Sequence, residues 1–397
     1  MHLLHPFVAA ALLVGAGCVA PATTSVDSSL PEAAHAAPDE DPLAVLTTAA
    51  SSLDPTQRAR ALELLILNTE PSGGEWGPRG LADPDPWSQR LAARALTTRL
   101  TEPESIELLR NYAAQPYGDP YVRGQVALRL HEVGHGIDDL GDQWRDQPTN
   151  WQAAPLALAA AAAGDAEALA LVEEVLRTGD LPLEIDFVLD IGRSGLASLI
   201  PALEEGAKVV EPELHLAFAA AQLSLGDAAG EGALRKALSD DNVLLRLEAL
   251  DYLTAIDDPA ATALLRKARS QTLDVVRWYA SLALLRQGEG TTAQFEEAMS
   301  HPDPEVRSLA VRFAAELEGD SALRQRGTDR RSGRVTRAVL RGGVLDPNHE
   351  VQLTALRALA KLGMDGEETE VTMQLGHQYL AVRLEAAGAL LLGSKRS

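Results

Sequence analysis

Apolar residues recur along most of the chain at the spacing of a helix with one buried side. The clearest copy follows the turn at residues 301–304 and begins near Arg307. Counted from Arg307, apolar residues stand three, four, seven and ten positions later, as Ala310, Val311, Ala314 and Leu317. This is the 3.6-residue period of an amphipathic helix. We therefore predict a helix here and take Arg307 as a register mark for the rest of the chain.

The same pattern returns, so each copy can be located by the residue in the place of Arg307. Clear copies are marked by Arg123, Arg246, Arg277, Gln352 and Arg383. Weaker copies centre near Arg58, Arg90, Ala153, Leu183 and His215. The step from Arg246 to Arg277 is 31 residues and the next step is 30, whereas the step from Arg307 to Gln352 is 45. A steady step of this kind indicates a stack of repeated units.

Second helical segments lie between the marked helices, for example over residues 165–177, before Gly179. Neither helix of a unit can bury its apolar side alone, so stacked units share one continuous core. A chain of 397 residues exceeds a single conventional core, but a repeat array has no such limit. Aromatic residues make up only 4% of the chain, and Ala and Leu, which favour helices, dominate its apolar content. We predict an all-α protein.

The repeated motif reads Asp-Pro-x-Val-Arg-x-x-Ala, as at residues 303–310, and continues with Leu at later turns. It resembles HEAT-like repeats of the short bacterial class, which are similar to those of phycobilin lyases. The resemblance covers about residues 44–393. It implies an α-α superhelix (an α-solenoid) of about ten two-helix repeats of about 31 residues each. The concave face of such a solenoid is expected to be lined by the second helix of each unit.

The recurring Arg and the Asp-Pro pairs have a structural interpretation. An Arg at a helix start pairs with an Asp or a carbonyl of the adjacent turn, although a ligand-binding stripe is the alternative. An Asp before a Pro caps a helix that the Pro begins. The pairs begin at Asp54, Asp119, Asp258, Asp303 and Asp346.

The N-terminal sequence predicts an export signal. Residues 7–17 form an apolar run that ends at Cys18, the single cysteine. The run is too short to cross a bilayer but suits a secretory signal. Residues 15–18 resemble a bacterial lipobox, which implies cleavage before Cys18, lipidation of its thiol and anchoring to a membrane of the cell envelope. A plain secretory peptide, cut after residue 22 or 36, is the alternative. We divide the chain into a signal peptide (1–17), an acidic, Pro- and Ala-rich tether (18–43) and a solenoid (44–397).

The net charge of −22 repels polyanions, so we expect no binding to nucleic acid. Residues 323–341 reverse this charge locally, with seven arginines and one acid. They fall inside the long step after Arg307. They are either a site for an anionic partner or a segment that packs on the chain's own acidic surface. The partner-binding candidates are Arg324, Arg326, Arg330, Arg331, Arg334 and Arg337.

Residues 131–135 spell His-Glu-x-x-His, the zinc motif of metalloproteases. On a helix, His131 and His135 would share a face and Glu132 would act as general base. However, Gly134 stands where a repeat helix ends, and a helix that stops there breaks the shared face. We therefore favour a protein without a metal or other cofactor, with a zinc hydrolase as the alternative.

The segment at residues 70–87 is rich in Gly and Pro and carries Trp76 and Trp87. We expect the tryptophans to cap the open end of the solenoid, with an exposed binding loop as the alternative.

Taken together, these features predict an exported, lipid-anchored, monomeric scaffold that binds a protein partner on its concave face without catalysis. The enzyme alternative is the zinc hydrolase. A third possibility is a lyase or chaperone that handles a bound prosthetic group, as the phycobilin-lyase resemblance implies.

Overall fold

The computed structural model describes residues 41–69, 73–116, 118–137, 140, 142–147, 149–179, 185–319 and 330–394. Within these ranges the chain forms 21 α-helices and no strand, packed in a solenoid-like arrangement. The prediction of an all-α protein is therefore confirmed. None of the described helices combines the length and the apolar character needed to cross a membrane.

One set of helices begins within four residues of the predicted register marks, with Leu183 itself outside the described residues. Its members are α2 (Pro55–Asn68), α4 (Pro86–Thr97), α6 (Pro120–Glu132), α7 (Asn150–Ala162), α9 (Ile185–Ser194), α11 (His215–Ser224), α13 (Val243–Ala255), α15 (Asp274–Arg286), α17 (Pro304–Gly319), α19 (His349–Leu362) and α21 (Leu380–Ser394). We call these the inner helices, because their burial places them in the inner layer of the fold.

The other set fills the places between them. Its members are α1 (Pro42–Ala49), α3 (Trp76–Leu81), α5 (Pro103–Ala114), α8 (Ala166–Thr178), α10 (Ile200–Gly206), α12 (Ala228–Ala237), α14 (Pro259–Ala268), α16 (Ala293–Met299), α18 (Arg330–Val344) and α20 (Glu368–Met373). We call these the outer helices.

In α2, α17 and α19 the register residue is the fourth residue of its helix, and its side chain turns back onto the preceding turn. Arg58 Nη1 donates to the carbonyl of Ser52, 2.9 Å away, and Arg307 Nη1 donates to the carbonyl of His301 at the same distance. Gln352 Nε2 makes the corresponding bond to Asp346 at 2.8 Å. In each case the acceptor lies six residues upstream, so one side chain fixes the geometry of each turn.

Two of these arginines also bind a carboxylate of the next unit. Arg58 donates Nε and Nη2 to Asp83 at 2.8 and 3.0 Å, and Arg307 does the same to Asp346 at 2.7 and 2.9 Å. Bidentate pairs of this kind are directional and hold neighbouring units in register. The structural interpretation of the recurring Arg is confirmed at both positions.

Two details of the predicted register are corrected. The mark in the second unit is Gln89 rather than Arg90, because α4 begins at Pro86 and Gln89 Nε2 donates to the carbonyl of Asp83 at 2.7 Å. Asp346 does not cap α19. Asn348 caps that helix, and Asp346 is instead held by Arg307. The remaining Asp-Pro pairs cap as predicted, because the side chains of Asp54, Asp119, Asp258 and Asp303 accept hydrogen bonds from backbone N–H groups of the first turn.

The burial pattern shows which layer is enclosed. Residues 153–161 of α7 are all buried, and so are residues 279–285 of α15. In α8, by contrast, the buried residues Ala168, Val172, Val175 and Leu176 occupy one side. A helix that is apolar all round is enclosed by its neighbours, whereas an amphipathic helix faces solvent. The helices at the register marks therefore form the inner layer, which corrects the expectation that the second helices would line the concave face.

The array closes on itself. Successive inner helices pack side by side along the chain, and the last of them, α21, packs against α1 and α2. The approach is close at Gly388, where an added β-carbon would lie 2.6 Å from Leu64 Cδ2. The two ends of the chain's helical array thus meet. We call this contact the seam.

The closure also changes the role of the tryptophan segment. Trp76 begins α3, which packs between α2 and α4 as an outer helix, and Arg79 lies 5.2 Å from the centroid of the Trp76 ring. The expectation of a cap on an open end is wrong, because α1 and α21 cover that end of α2.

Candidate functional site

The inner helices carry a polar stripe that stands apart from their apolar positions. Its members lie two, five or nine residues after a register residue, offsets that share one face of a helix. The charged members are Arg60, Glu63, Arg94, Glu132, Glu248, Asp251, Arg286, Arg312, Glu316, Arg357, Lys361 and Glu385. Ion pairs link these residues from one inner helix to the next, for example Arg94 of α4 to Glu63 of α2. We call this set the inner stripe.

The densest part of the inner stripe lies at the seam. Glu385 of α21 accepts from Arg60 of α2 at 2.7 and 2.5 Å and from Arg357 of α19 at 3.1 Å. Glu63 accepts from Arg60 and from Arg94 of α4, with Arg94 Nε 3.0 Å away. We call Arg60, Glu63, Arg94, Arg357, Lys361 and Glu385 the seam cluster. It joins four inner helices from opposite ends of the chain.

The two carboxylates of the seam cluster are buried and ionised. The side chains of Glu63 and Glu385 are each 2% exposed. Burial alone would raise the pKa of Glu63, but the charges of Arg60 and Arg94 outweigh it and lower that pKa to about 2. A buried carboxylate is stable only when its charge is compensated in this way. The cations of the cluster therefore hold the seam together.

Lys361 lies beside these pairs and has an unusual proton affinity. Its side chain is exposed, but the surrounding inner helices remove part of its hydration. That burial, together with the charges of Arg60 and Arg94 and against the attraction of Glu63, lowers the pKa of Lys361 to about 8. The amine is therefore mostly protonated at neutral pH and loses its proton in mildly alkaline solution.

A second cluster of the inner stripe surrounds Tyr279 on α15. The Tyr279 hydroxyl donates to Asp251 of α13 and accepts from Arg312 of α17. The guanidinium of Arg312 also lies 4.8 Å from the centroid of the Tyr279 ring. Burial raises the pKa of Tyr279 well above its ordinary value, so the phenol stays protonated. These contacts tie three consecutive inner helices together without leaving a reactive group on the surface.

A third group connects helices that are not neighbours in the layer. Arg90 of α4 reaches Asp186 of α9, with 3.5 Å between Nη1 and Oδ2. Arg193 of α9 pairs with Asp190, and burial lowers its pKa. Arg90 and Asp186 therefore join α4 to α9, whereas the pair of Arg193 and Asp190 lies within α9.

The His-Glu-x-x-His segment does not form the arrangement that zinc hydrolysis requires. Helix α6 ends at Glu132, and Gly134 adopts a left-handed backbone with φ of 84°. His135 Nε2 lies 3.2 Å from the carbonyl oxygen of Leu100, and Glu132 pairs with Arg129 at 2.5 Å. The expected helix end is thus confirmed. Among the described residues, no group of three or more His, Cys, Asp or Glu side chains could hold a metal ion.

The arginine-rich segment is engaged by the chain's own acids where it is described. Arg337 of α18 pairs with Glu318 at 3.3 Å, and Arg341 pairs with Glu370 at 3.4 Å. Arg334 is exposed. Arg324, Arg326 and the side chains of Arg330 and Arg331 lie outside the described residues, as does Cys18. The alternative that this segment packs on acidic surface of the same chain is confirmed for Arg337 and Arg341.

Sequence reasoning missed the seam cluster, although one signal pointed to it. Charged residues interrupt the apolar inner helices at fixed offsets from the register residue, as Arg60, Asp251, Arg312 and Glu385 show. An apolar helix tolerates a charge on its enclosed side only where a partner meets it. The repeated offset was therefore a signal for a shared polar face.

No family model matches the sequence, and no curated protein matches it. Among solved structures, the crystal structure of an engineered protein is 18% identical over 88% of this chain and 98% of its own, with a TM-score of 0.31. The structure of human deoxyhypusine hydroxylase in complex with glycerol is 15% identical over 89% and 95%, with a TM-score of 0.26. Likenesses at this level inform neither the fold nor the function of the chain.

Proposed function

We propose that this chain is an exported, lipid-anchored scaffold of HEAT-like repeats that binds a partner protein on its inner face and catalyses no reaction. About ten two-helix repeats of about 31 residues would form the body, and the acidic tether would join it to a membrane. The protein itself would be monomeric. Its net charge of −22 argues against a nucleic acid as the partner.

The inner stripe is the observation that carries this proposal. It places charged side chains on one face of helices from both ends of the chain. Arg94 and Arg357 are 32% and 36% exposed, so their charges reach solvent as well as the buried carboxylates. Repeat arrays use such extended faces to bind proteins. Charged groups there would set the choice of partner and speed its association.

Apolar side chains at the N-terminal ends of adjacent inner helices support the same proposal. Leu345 before α19, Tyr379 before α21 and Leu53 before α2 are exposed, Leu53 to 97%. The Tyr379 ring lies 4.8 Å from that of His349 and 5.4 Å from that of His377. Large exposed apolar and aromatic side chains at one edge of a fold are typical of protein contacts.

A photo-crosslinking experiment tests where the partner binds. A crosslinking amino acid would replace Thr354 or Lys361 on the inner face, or Arg266 or Lys267 on the outer helix α14. We expect a discrete adduct from the inner positions in the native membrane and none from the outer ones, measured by mass shift after irradiation. Adducts of equal yield from both faces, or none from the inner face, would contradict the proposal.

Lipid anchoring has a separate test. Metabolic labelling with a fatty acid should label the wild-type protein, and Cys18→Ala should lose that label because the thiol that carries the lipid is removed. The variant should also leave the membrane fraction. Equal labelling of the two proteins would show that Cys18 is not the attachment site, without affecting the partner-binding proposal.

A further inference from the structure

A groove of about 550 Å³ runs along one side of α1, the outer helix at the seam. Ala44, Val45 and Thr48 of α1 form one wall, and Leu380 and Arg383 of α21 contribute to the other. Ala44 and Thr48 are exposed, so this side of α1 is open to solvent. Other outer helices pack directly on one another, as α8 does on α10. The outer layer therefore has room for one more element here, and we call the space the seam groove.

The walls of the seam groove suit a helix with small apolar side chains. On α1 the lining residues Ala44, Val45 and Ala49 are apolar and short, and Leu380 extends this surface. Two alanines on the same wall let a neighbouring backbone approach closely, which increases van der Waals contact. A helix with small side chains on its facing side would make that contact, whereas bulky side chains would hold it away.

The first described residue, Asp41, lines the groove, and the sequence before it predicts a short helix. Residues 29–32 read Ser-Leu-Pro-Glu, which is a capping box with a proline in the first turn. Pro38 would stop the helix after residue 37. The apolar residues between these signals share the spacing of one helical stripe: Leu30, Ala33, Ala34 and Ala37. This segment lies outside the described residues, so the helix is a prediction from sequence.

We propose that residues 30–37 bind in the seam groove as an additional outer helix, antiparallel to α1. Residues 38–40 would form the link, a length within the two to five residues that commonly join antiparallel helices. Helix α1 and the predicted helix each contain eight residues, so both span about 12 Å. Ala34 would then lie beside Ala44, and Leu30 would reach Thr48 and Ser52 at the other end of the groove.

The short link favours this segment over a separate molecule as the occupant. A link of three residues keeps the segment near the groove at an effective concentration in the millimolar range. An alanine-rich segment of this length cannot bury enough apolar surface to fold by itself. Contact of Leu30 and the alanines with the groove supplies that burial, so folding and binding of the segment are coupled.

Binding of the segment would also change the reach of the tether, a consequence that rests on the proposed lipid anchor at Cys18. With the segment unbound, the 23 residues 18–40 separate the anchor from α1, whereas the bound segment leaves only the 11 residues 18–28. Full extension then falls from about 80 Å to about 40 Å. The bound segment would therefore hold the body closer to the membrane. The groove site itself goes beyond the proposed partner binding and needs neither a partner nor a lipid.

Disulfide crosslinking in the full chain tests the site, with Cys18→Ala to remove the native thiol and the lipid. One protein carries Ala34→Cys with Ala44→Cys, and its matched control carries Ala34→Cys with Leu43→Cys. Leu43 is exposed but does not line the groove, and its separation from residue 34 is almost the same. We expect the first pair to form its disulfide at least about tenfold faster, after correction for the reactivity of each thiol. Equal rates would overturn the proposal, because an unbound tether meets both positions alike.

Two further changes in the segment test whether its apolar side makes the contact. Leu30→Asp places a charge in the predicted stripe and should slow the disulfide between positions 34 and 44 by about tenfold. His35→Asp introduces the same charge on the opposite side of the predicted helix and should leave the rate unchanged. Both changes lie before α1, so the described fold is the same in each protein. Equal rates in the two variants would contradict binding through this stripe.

Discussion

Replacing Glu385 by arginine should separate the two ends of the helical array in solution. Glu385 is buried and holds Arg60 across the seam and Arg357 beside it. An arginine there would place three guanidinium groups together, with Glu63 as the nearest anion. Removing one partner of a buried ion pair costs about 3–5 kcal/mol, and the added repulsion increases that cost.

Spin labels on either side of the seam would measure the separation. Cysteines at Ser51, after α1, and at Gln378, before α21, are both exposed positions, and Cys18→Ala would remove the native thiol. We expect a single short distance in the otherwise wild-type protein and a longer, broader distribution in Glu385→Arg, with the helical circular dichroism retained. An unchanged distance would show that apolar contacts such as Leu64 against Gly388 close the array without the charges.

Two further variants serve as controls for this experiment. Glu289→Arg reverses a charge in the exposed pair with Arg266 and should leave the distance unchanged, since exposed pairs contribute little. Arg60→Glu combined with Glu385→Arg restores a pair of opposite charges across the seam and should recover much of the short distance. Failure of this reversal, with a normal helical signal, would indicate that the position of Arg60 rather than its charge matters.

The sequence was sufficient to predict the helices because local chemistry repeats in every unit. Each of these local signals acts within a few residues. Examples are the cap at Asp54 or Asp119, the proline after it and the apolar spacing after Arg307. The same reasoning from neighbouring residues predicted the wrong helix cap at Asp346. There the dipeptide Asp-Pro is followed by Asn348, which caps the helix instead, while Arg307 draws the aspartate into a contact between units.

The closure of the array could not be predicted from the repeat motif. Whether the two ends meet depends on the sum of small rotations between successive units, and no single unit encodes that sum. The contact that seals it joins Arg60 and Glu385, which are 325 residues apart in the chain. Once the ends meet, however, the buried charges at Arg60 and Glu385 become explicable, because each finds a counter-charge on a helix from the opposite end, while Glu63 pairs with Arg60 and with Arg94.

Glu63→Gln should destabilise the protein in a manner that depends on pH. The pKa of Glu63 is about 2 in the folded protein, below the ordinary value of 4.5, because Arg60 and Arg94 outweigh the effect of burial. A carboxylate with a lowered folded pKa stabilises the fold above its unfolded pKa, and that contribution is lost as the pH falls toward the folded pKa. The shift corresponds to roughly 3 kcal/mol, which the variant should lose at neutral pH.

Urea unfolding of wild type and variant from neutral pH down to about pH 3 would measure this contribution. The difference in the free energy of unfolding should stay constant down to the ordinary pKa of 4.5 and shrink below it, because the wild-type carboxylate then gains a proton in the unfolded state. Glu289→Gln, which alters an exposed pair with Arg266, should cost less than about 1 kcal/mol at neutral pH. If the difference for Glu63→Gln is the same in acid as at neutral pH, the side chain stabilises the seam by packing alone, and the ion pairs with Arg60 and Arg94 add no net stability.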